Sequence, residues 1–571
     1  MKTFLIIITL TISISTSKII VTSDLEKAIS ESSPGDTIEL LSGTYTKIPY
    51  KLKSGTDSNP IIIKSNKNSK ITFIGNSKNC IFELNHISHI KIEGNFELKD
   101  SLCGIKGMDV SNIKISNLKI HNIQQHGIVI SGENNEISYN EIYDCVLENK
   151  LTGKKLEFGW KQCVASWGKN YNNNFSKNII FKYNKIYNSY GEGLDFLKCD
   201  SCYAIGNEIT NGFSMNIYLD ASKNIVIDSN ILKVNSSDYD TKWGSACGIG
   251  LSSESGNEYN IDNVIIKNNI IIGTRMAIYF FQIGNGGYNN IKILHNTMWL
   301  ISTTTLWFKK PDNNPLNCEL RNNFIYIENW IADFIPKSSW KIGNNLYYNV
   351  DNVPYQYSDT ESGSKAIKNM DLNYIFNNFD GKCNYYDKNL NINCLRPNKY
   401  SDDYFKLYHS GSKCSILIEN DINMCKRNIN NPSIGAFEYS NECNDKSDDD
   451  DSKIDFDVKI KINYCTNGND VVKITGSHFG KWNAKNALNL VNNGNCNWSV
   501  ILDKKYLLFK YKFIIANGNN IKIWESGNAN RMFDFKVLKI LVKENRKGVY
   551  NKCNYEKNDD LVVLTCFWNV I

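Results

Sequence analysis

Short β-branched runs, each closed by an asparagine, recur along this chain at a nearly fixed interval. In IIFKYNKIYNSYGEGLDFL, CYAIGNEITNGFSMNIYLD and NIVIDSNIL, within Ile179–Leu232, residues Asn184, Asn207 and Asn230 stand 23 apart. The register extends upstream to Asn95, Asn117 and Asn140 at 22 and 23 residues, followed by one doubled step to Asn184. Downstream it reaches Asn269, Asn296, Asn323 and Asn345 at intervals of 39, 27, 27 and 22. A period of about 20–30 residues built from short strands marks a solenoid. Three strands at about 3.3 Å per residue, with their turns, use up one such period. The expected fold is therefore all-β, a parallel β-helix whose coils hydrogen-bond to one another. Asparagine suits the recurring bend because it tolerates the left-handed conformation and its amide can bond to an identical neighbour one coil away.

A chain of 571 residues exceeds one compact core, so more than one domain is expected. Residues 1–17 read as a secretory signal peptide: Lys2, an apolar run from Phe4 to Ile14, then small residues at Ser15–Ser17. The run is too short to span a bilayer, and no later segment is apolar enough to insert. The 17 cysteines fit an oxidising, extracellular destination, and their odd number leaves at least one outside any internal pair. Cys199 and Cys202 form a CxxC that is expected to be a structural disulfide rather than a zinc or redox site. Asn174, Asn235 and Asn497 begin N-x-S/T glycosylation sequons. The formal charge of +6 is small for this length, which gives nucleic-acid binding no support.

In chain order, Ser23 and Glu26 read as a capping box for a short helix with Leu25, Ala28 and Ile29 on its apolar stripe. Such a helix would cover the open end of the coil. Coils are expected over 18–348, followed by a loop-rich end of the same domain over 349–440. There Cys383, Cys394, Cys414 and Cys425 are expected to be cross-linked. Residues 441–455, NECNDKSDDDDSKID, form an acidic linker. It lacks the glycine and glutamate spacing of an EF-hand, so calcium is not indicated and no cofactor is expected. Over 456–571 the strands VKIKINY, VVKITG, WSVIL, FKYKFII, IKIWE and FDFKVLKI predict an antiparallel β-sandwich.

The run SDLEKAISESSPGDTIELLSGTY, the coils and the closing PSIGAFEY resemble secreted right-handed parallel β-helix proteins of the pectate-lyase-like superfamily. That superfamily holds lyases, hydrolases, epimerases and non-catalytic proteins, so the resemblance implies a fold and not a reaction. At the other end, ITGSHFGKWNAKNALNL, NWSVIL, FKYKFII, IKIWES and NANR resemble the starch-binding modules of carbohydrate-binding family 20. This resemblance implies an α-glucan site in which Trp482 and Trp524 stack on sugar rings, helped by Lys512 and Asn530. Stacking suits them, since sugar C–H faces pack on rigid indoles at little entropic cost. The chain departs from the pattern by one extra residue between WE and NR, by a missing proline, and by Asn467 where a second site would carry tyrosine. Trp498 is the expected core tryptophan.

Eleven residues after Asn184, Asn207 and Asn296 stand Asp195, Tyr218 and Trp307, and ten after Asn269 stands Tyr279. Each lies between two apolar residues, so all four are expected to point outward and stack on one sheet about 4.8 Å apart. An exposed ribbon of this kind suits an extended polysaccharide, and Gly250 in the same column could admit a sugar ring. Glu192, Asp195, Lys198 and Asp220 cluster at its upstream end, with His126 one or two coils earlier. Asp195 and Asp220 should lie about 8 Å apart at the backbone, as an inverting carboxylate pair requires. A lyase would instead draw its base from Lys198 or His126. The plain alternative makes Asp195 and Asp220 solvated strand and turn residues, and Glu192 a turn residue. The favoured reading is a secreted polysaccharide-degrading enzyme held on α-glucan, a hydrolase rather than a lyase because such glucans lack a uronate. The alternative is a non-catalytic carbohydrate-binding coat or matrix protein, gaining avidity from its two surfaces.

Overall fold

The computed structural model describes residues 17–66, 69–151, 161–168, 174–236, 246–254, 261–282, 287–308, 316–326, 328, 330–332, 340–349, 363–367, 372–376, 383–396, 410–438, 457–476, 484–485, 487–502, 508–517, 520–524, 531–534, 548–550, 553–558 and 561–566. The chain divides into two compact units, Met1–Tyr439 and Ser440–Ile571.

The first unit winds three parallel sheets around one core. In the first sheet Ile38, Ile63, Ile92, Ile115, Ile137 and Phe181 stack in register, coil upon coil. Each has no exposed surface, while many of the residues beside them, such as Glu39, Lys64, Lys91, Glu93, Lys114 and Glu136, are polar and partly exposed. This is the period-2 alternation of a half-buried strand. Strands such as Lys185–Ser189 and Glu208–Gly212 form the second sheet, and Glu192–Leu197 and Met215–Asp220 form the third.

The corner between the first and second sheets holds the asparagine ladder. The amide of Asn140 donates to Asn184 at 3.0 Å, Asn184 to Asn207 at 3.0 Å and Asn207 to Asn230 at 2.9 Å. The series runs on through Asn269, Asn296 and Asn323 to Asn345. Asn95 and Asn117 do not belong to it. Register places Leu118 opposite Asn140 and Phe96 opposite Leu118, so the first coils fill this column with buried apolar side chains while Asn95 and Asn117 face solvent. The left-handed residue is the one before each ladder position: Asn117, Tyr139, Tyr183, Ser229, Asn268 and His295 all have φ between 54° and 59°. The expected doubled step is also a single coil. Asn140 bonds directly to Asn184, and the extra length lies on either side of the regular third-sheet strand Gln162–Trp167, with the helix Leu147–Leu151 in the longer connection before it.

The helix Leu25–Glu31 sits at the start of the coil with Leu25, Ala28 and Ile29 buried, but its cap is Asp24, which accepts from the Lys27 N–H at 3.2 Å. At the other end, the outward residues of the second sheet turn apolar from Ile270 onward. Trp299, Phe324 and Tyr348 pack under Ile375, Phe376, Leu395 and Phe437 of the closing segment. Each such burial contributes roughly 1.5–3 kcal/mol. Arg427 pins this segment from within: fully buried, it pairs with Glu438 at 3.3 Å and donates to Asn268 Oδ1 at 2.9 Å. Cys383–Cys394 is a disulfide and Cys425 is disulfide-bonded, but the Cys414 thiol is outside any disulfide, lying instead beside Asn322 and His295. Cys80–Cys103, Cys145–Cys163, Cys199–Cys202 and Cys465–Cys496 are also joined, as suits an oxidising compartment. No helix among the described residues is long and apolar enough to cross a membrane.

Among the described residues the second unit is a two-sheet β-sandwich, mostly antiparallel, with one parallel pairing between Asp457–Asn463 and Leu561–Cys566. Trp498 is buried, its indole N–H bonded to the Tyr464 carbonyl at 3.0 Å, as a core tryptophan requires.

Candidate active site on the third sheet

Adjacent strands of the third sheet bring Asp195, Tyr218, Gly250, Tyr279 and Trp307 into one continuous register. The column is real, but it is not an exposed ribbon. Asp195 is 0 % exposed, Tyr218 6 % and Tyr279 7 %; the Trp307 side chain lies outside the described ones. Tyr218 and Tyr279 pack with Met215, Cys247 and Met276 into a cluster of their own, flanked by Leu197 and Phe281. Nor does Gly250 leave room for a sugar: a Cβ there would meet Met215 Sδ at 2.7 Å and the Tyr218 ring at 2.8 Å. Alternation along a strand tells which way a side chain points, and the neighbouring side chains then decide whether water reaches it.

Four acids gather at the upstream end. Glu192 and Asp195 lie on one strand, both buried. Asp220 ends the next strand and is half-buried, while the exposed Glu254 donates its backbone N–H to Asp220 Oδ1 at 2.8 Å. The Tyr218 hydroxyl donates to Glu254 Oε1 at 2.8 Å. Burial pushes the Glu192 carboxyl up to about 7 against hydrogen bonds from Asp195 and Gln162, with the charges of Glu254 and Asp220 adding to the rise. Burial, then the neighbouring Glu192, raise Asp195 well above the usual carboxylate range. Neither oxygen of Asp195 meets a donor in good hydrogen-bonding geometry. An acid raised to about 7 still carries its proton in part of the molecules at neutral pH, which fits Glu192 to act as a general acid.

Gln162 forms the wall behind them. Its amide reaches Glu192 Oε2 at 3.5 Å, its Oε1 accepts from the Trp167 indole at 3.3 Å, and its carbonyl accepts from His126 Nδ1 at 2.7 Å. Burial holds His126 down at about 4, so the ring is neutral, with Trp167 edge-on at 5.1 Å. Lys198 stands at the left-handed corner after the Glu192 strand, half-buried, its backbone N–H bonded to the Asp220 carbonyl. Gln162 and Glu254 escaped the sequence reading. Gln162 opens a regular third-sheet strand that longer connections on both sides move out of the asparagine spacing, and Glu254 lies just beyond its strand in a polar run without a repeat. Only the register, Gln162 opposite Glu192, exposes the first.

In the second unit Lys512 is half-buried on the strand Leu508–Asn517, and Trp524 ends the neighbouring strand opposite Ile514. Trp482 and Asn530 lie outside the described residues. Of the sequons, Asn174 and Asn497 are exposed, whereas Asn235 is half-buried and donates to Asn389 Oδ1 at 2.6 Å.

Residues 104–325 match the family model for a right handed beta helix region, and residues 455–537 that for a starch binding domain. The chain is a right-handed parallel β-helix protein with a C-terminal starch-binding domain. Residues 19–149 also match the model for chondroitinase B, a stretch that ends before any of the four acids. Among solved structures the β-helix is similar to the pectate lyase Pel9A, at 15% identity over 75% of this chain and 98% of that one with a TM-score of 0.42. It is similar to an alginate lyase from Paenibacillus sp. str. FPU-7, at 14% identity over 58% and 97% of the chains with a TM-score of 0.35. It is also similar to PfbA, a surface adhesin of Streptococcus pneumoniae, at 13% identity over 60% and 86% with a TM-score of 0.41. Likenesses this distant carry nothing about reaction or substrate. No curated protein matches the chain.

Proposed function

We propose that this protein is a secreted polysaccharide hydrolase, held on α-glucan by its starch-binding domain through Trp482, Trp524, Lys512 and Asn530. The observation that carries the reading is the buried Glu192–Asp195 pair, raised in pKa, beside Asp220 and Glu254. Glu192, poised near 7, gives its proton to the leaving oxygen. Burial holds the proton on Glu192, and Asp195 beside it works the other way, easing the proton's release. Asp220 lies one strand over, opposite Leu197, and its charge adds to the rise at Glu192. It takes the proton from the attacking water, an arrangement that inverts the anomeric centre. The same acids argue for a neutral sugar, because a uronate carboxylate would add to the repulsion that already raises both pKa values. His126, neutral and bonded to the Gln162 carbonyl, and Lys198, at its corner, stand in reserve as bases for an eliminating enzyme.

The full chain should release reducing ends from soluble starch or another neutral glucan without forming unsaturated ends. Glu192→Gln and Asp220→Asn should each lose about a thousand-fold in rate while retention on insoluble starch is unchanged. Unsaturated products would replace the hydrolase with a lyase. The complete burial of Asp195 favours a second reading, a non-catalytic carbohydrate-binding coat or matrix protein. Starch retention with no turnover on any glucan, even for the parent chain, would establish it.

A further inference from the structure

The row of left-handed corner residues has two halves. Downstream, the closing segment covers it: Asn268 donates to the Asn420 carbonyl at 3.0 Å, Asn322 to Ser412 at 2.7 Å and Asn344 to Ser410 at 3.2 Å. Upstream, the same row carries Tyr139 and Tyr183, which are 36 % and 48 % exposed. Their rings stack at 5.2 Å and 23°, and Tyr183 lies over Gly206, where a Cβ would come within 2.6 Å of the ring. A left-handed backbone disfavours a bulky side chain, and water disfavours an exposed aromatic one, so two successive tyrosines here ask for a reason beyond folding.

Beside Tyr139 opens a cavity of about 580 Å³, lined among others by Asn95, Glu97, Asn117, Lys119 and Glu141. Its volume falls among small-ligand sites, about 300–1,000 Å³. The outward side chains of the second sheet alternate in sign from coil to coil, Glu97, Lys119, Glu141, Lys185 and Glu208 in register. A polyanion or polycation lying along that ladder would meet attraction and repulsion by turns. A neutral ligand rich in hydroxyls gains from both signs, through hydrogen bonds to carboxylate, ammonium and amide groups alike, and a tyrosine face receives the C–H side of a sugar ring.

We propose that Tyr139 and the adjoining cavity form a second carbohydrate site, taking a neutral hexose oligosaccharide laid across the N-terminal coils. The site is separate from the third-sheet acids and does not rest on the catalytic reading.

The test is isothermal titration of the full chain in a Glu192→Gln, Trp482→Ala and Trp524→Ala background, so that the proposed glucan surface is weakened and no ligand is consumed. The probes are maltohexaose, cellohexaose and mannohexaose, with hexagalacturonate as the charged comparison. Tyr139→Ala should weaken binding of at least one neutral probe tenfold or more. Tyr139→Phe should keep it within twofold, which a fold defect would not do. Hexagalacturonate should bind at least tenfold more weakly than that probe. Neutral-probe affinities that Tyr139→Ala leaves unchanged, an absence of binding by all three, or a preference for hexagalacturonate would each overturn the proposal. Hydrolase activity, measured separately on the chain with Glu192 intact, reports on the other reading alone.

Discussion

Two columns of buried polar side chains run along the same β-helix, and they are built on opposite principles. At the corner, each inner ladder asparagine is satisfied on both sides: Asn207 Oδ1 accepts the backbone and amide N–H of Asn184, and its own amide reaches Phe181 O and Asn230 Oδ1. On the third sheet, Asp195 is as deeply buried and neither of its oxygens meets a well-placed donor. Burying a polar group is nearly neutral when its bonds are remade and costly when they are not. The ladder is thus a stabilising device repeated coil after coil. The acid column holds unfavourable free energy at one place, which is where reactive groups with shifted pKa values are found.

Breaking the ladder should produce the largest stability change. Asn207→Leu removes the acceptor of Asn184 and the donor of Phe181 O, leaving three buried groups unsatisfied at roughly 1–3 kcal/mol each. A loss of about 4 kcal/mol is expected, read from urea unfolding of the wild type and the variant. Asn140→Leu should cost about half as much, because the ladder ends there and Leu118 already fills the next position with an apolar side chain. Equal costs at both sites would show that the ladder stabilises by packing and not by its bonds.

The period was readable because every coil repeats the same demand, an inward apolar pair followed by a bend. The ladder could be displaced by one residue at its start, since Asn117 is an asparagine placed next to the ladder position and sequence spacing alone does not separate the two. The acid cluster was readable in part: Glu192, Asp195 and Asp220 follow from the column, but Gln162 sits on a coil strand whose longer flanking connections break the period. Exposure was the property least accessible, because Tyr218 and Tyr279 point outward as expected and are then covered by one another and by Met215 and Met276.

A smaller effect separates the columns by pH, since the ladder does not titrate and the acids do. Glu192 moves from an ordinary 4.5 to about 7 in the fold. For an acid raised by folding, the unfolded chain ionises first. Its contribution to stability is therefore complete below pH 4.5, declines as pH rises and levels off above about 7. At about 1.4 kcal/mol per unit the decline amounts to about 3 kcal/mol. Glu192→Gln should remove it, so the stability gap between variant and wild type should widen from pH 4.5 to 8, and turnover by the wild type should fall above about pH 7. A gap that stays constant across this range would mean that Glu192 is already ionised in the fold, and its role as proton donor would be withdrawn.

The finest distinction lies at Asp195 itself. Replacing a buried polar group that lacks donors by an apolar one of similar size removes a desolvation cost without breaking a bond. Asp195→Leu should therefore stabilise the fold by about 1 kcal/mol, the reverse of Asn207→Leu, although both substitutions place leucine at a fully buried polar position. The neighbours are ready for it, since Leu194 and Phe196 already point into the coil and the outward side is flanked by the apolar cluster around Tyr218. Differential scanning calorimetry of both variants gives the comparison directly. Opposite signs place Asp195 among residues kept for chemistry at the expense of stability. A destabilisation at both sites would mean that Asp195 is held by Glu192 as firmly as the asparagines hold one another, and the acid pair would then be a structural bond of the coil.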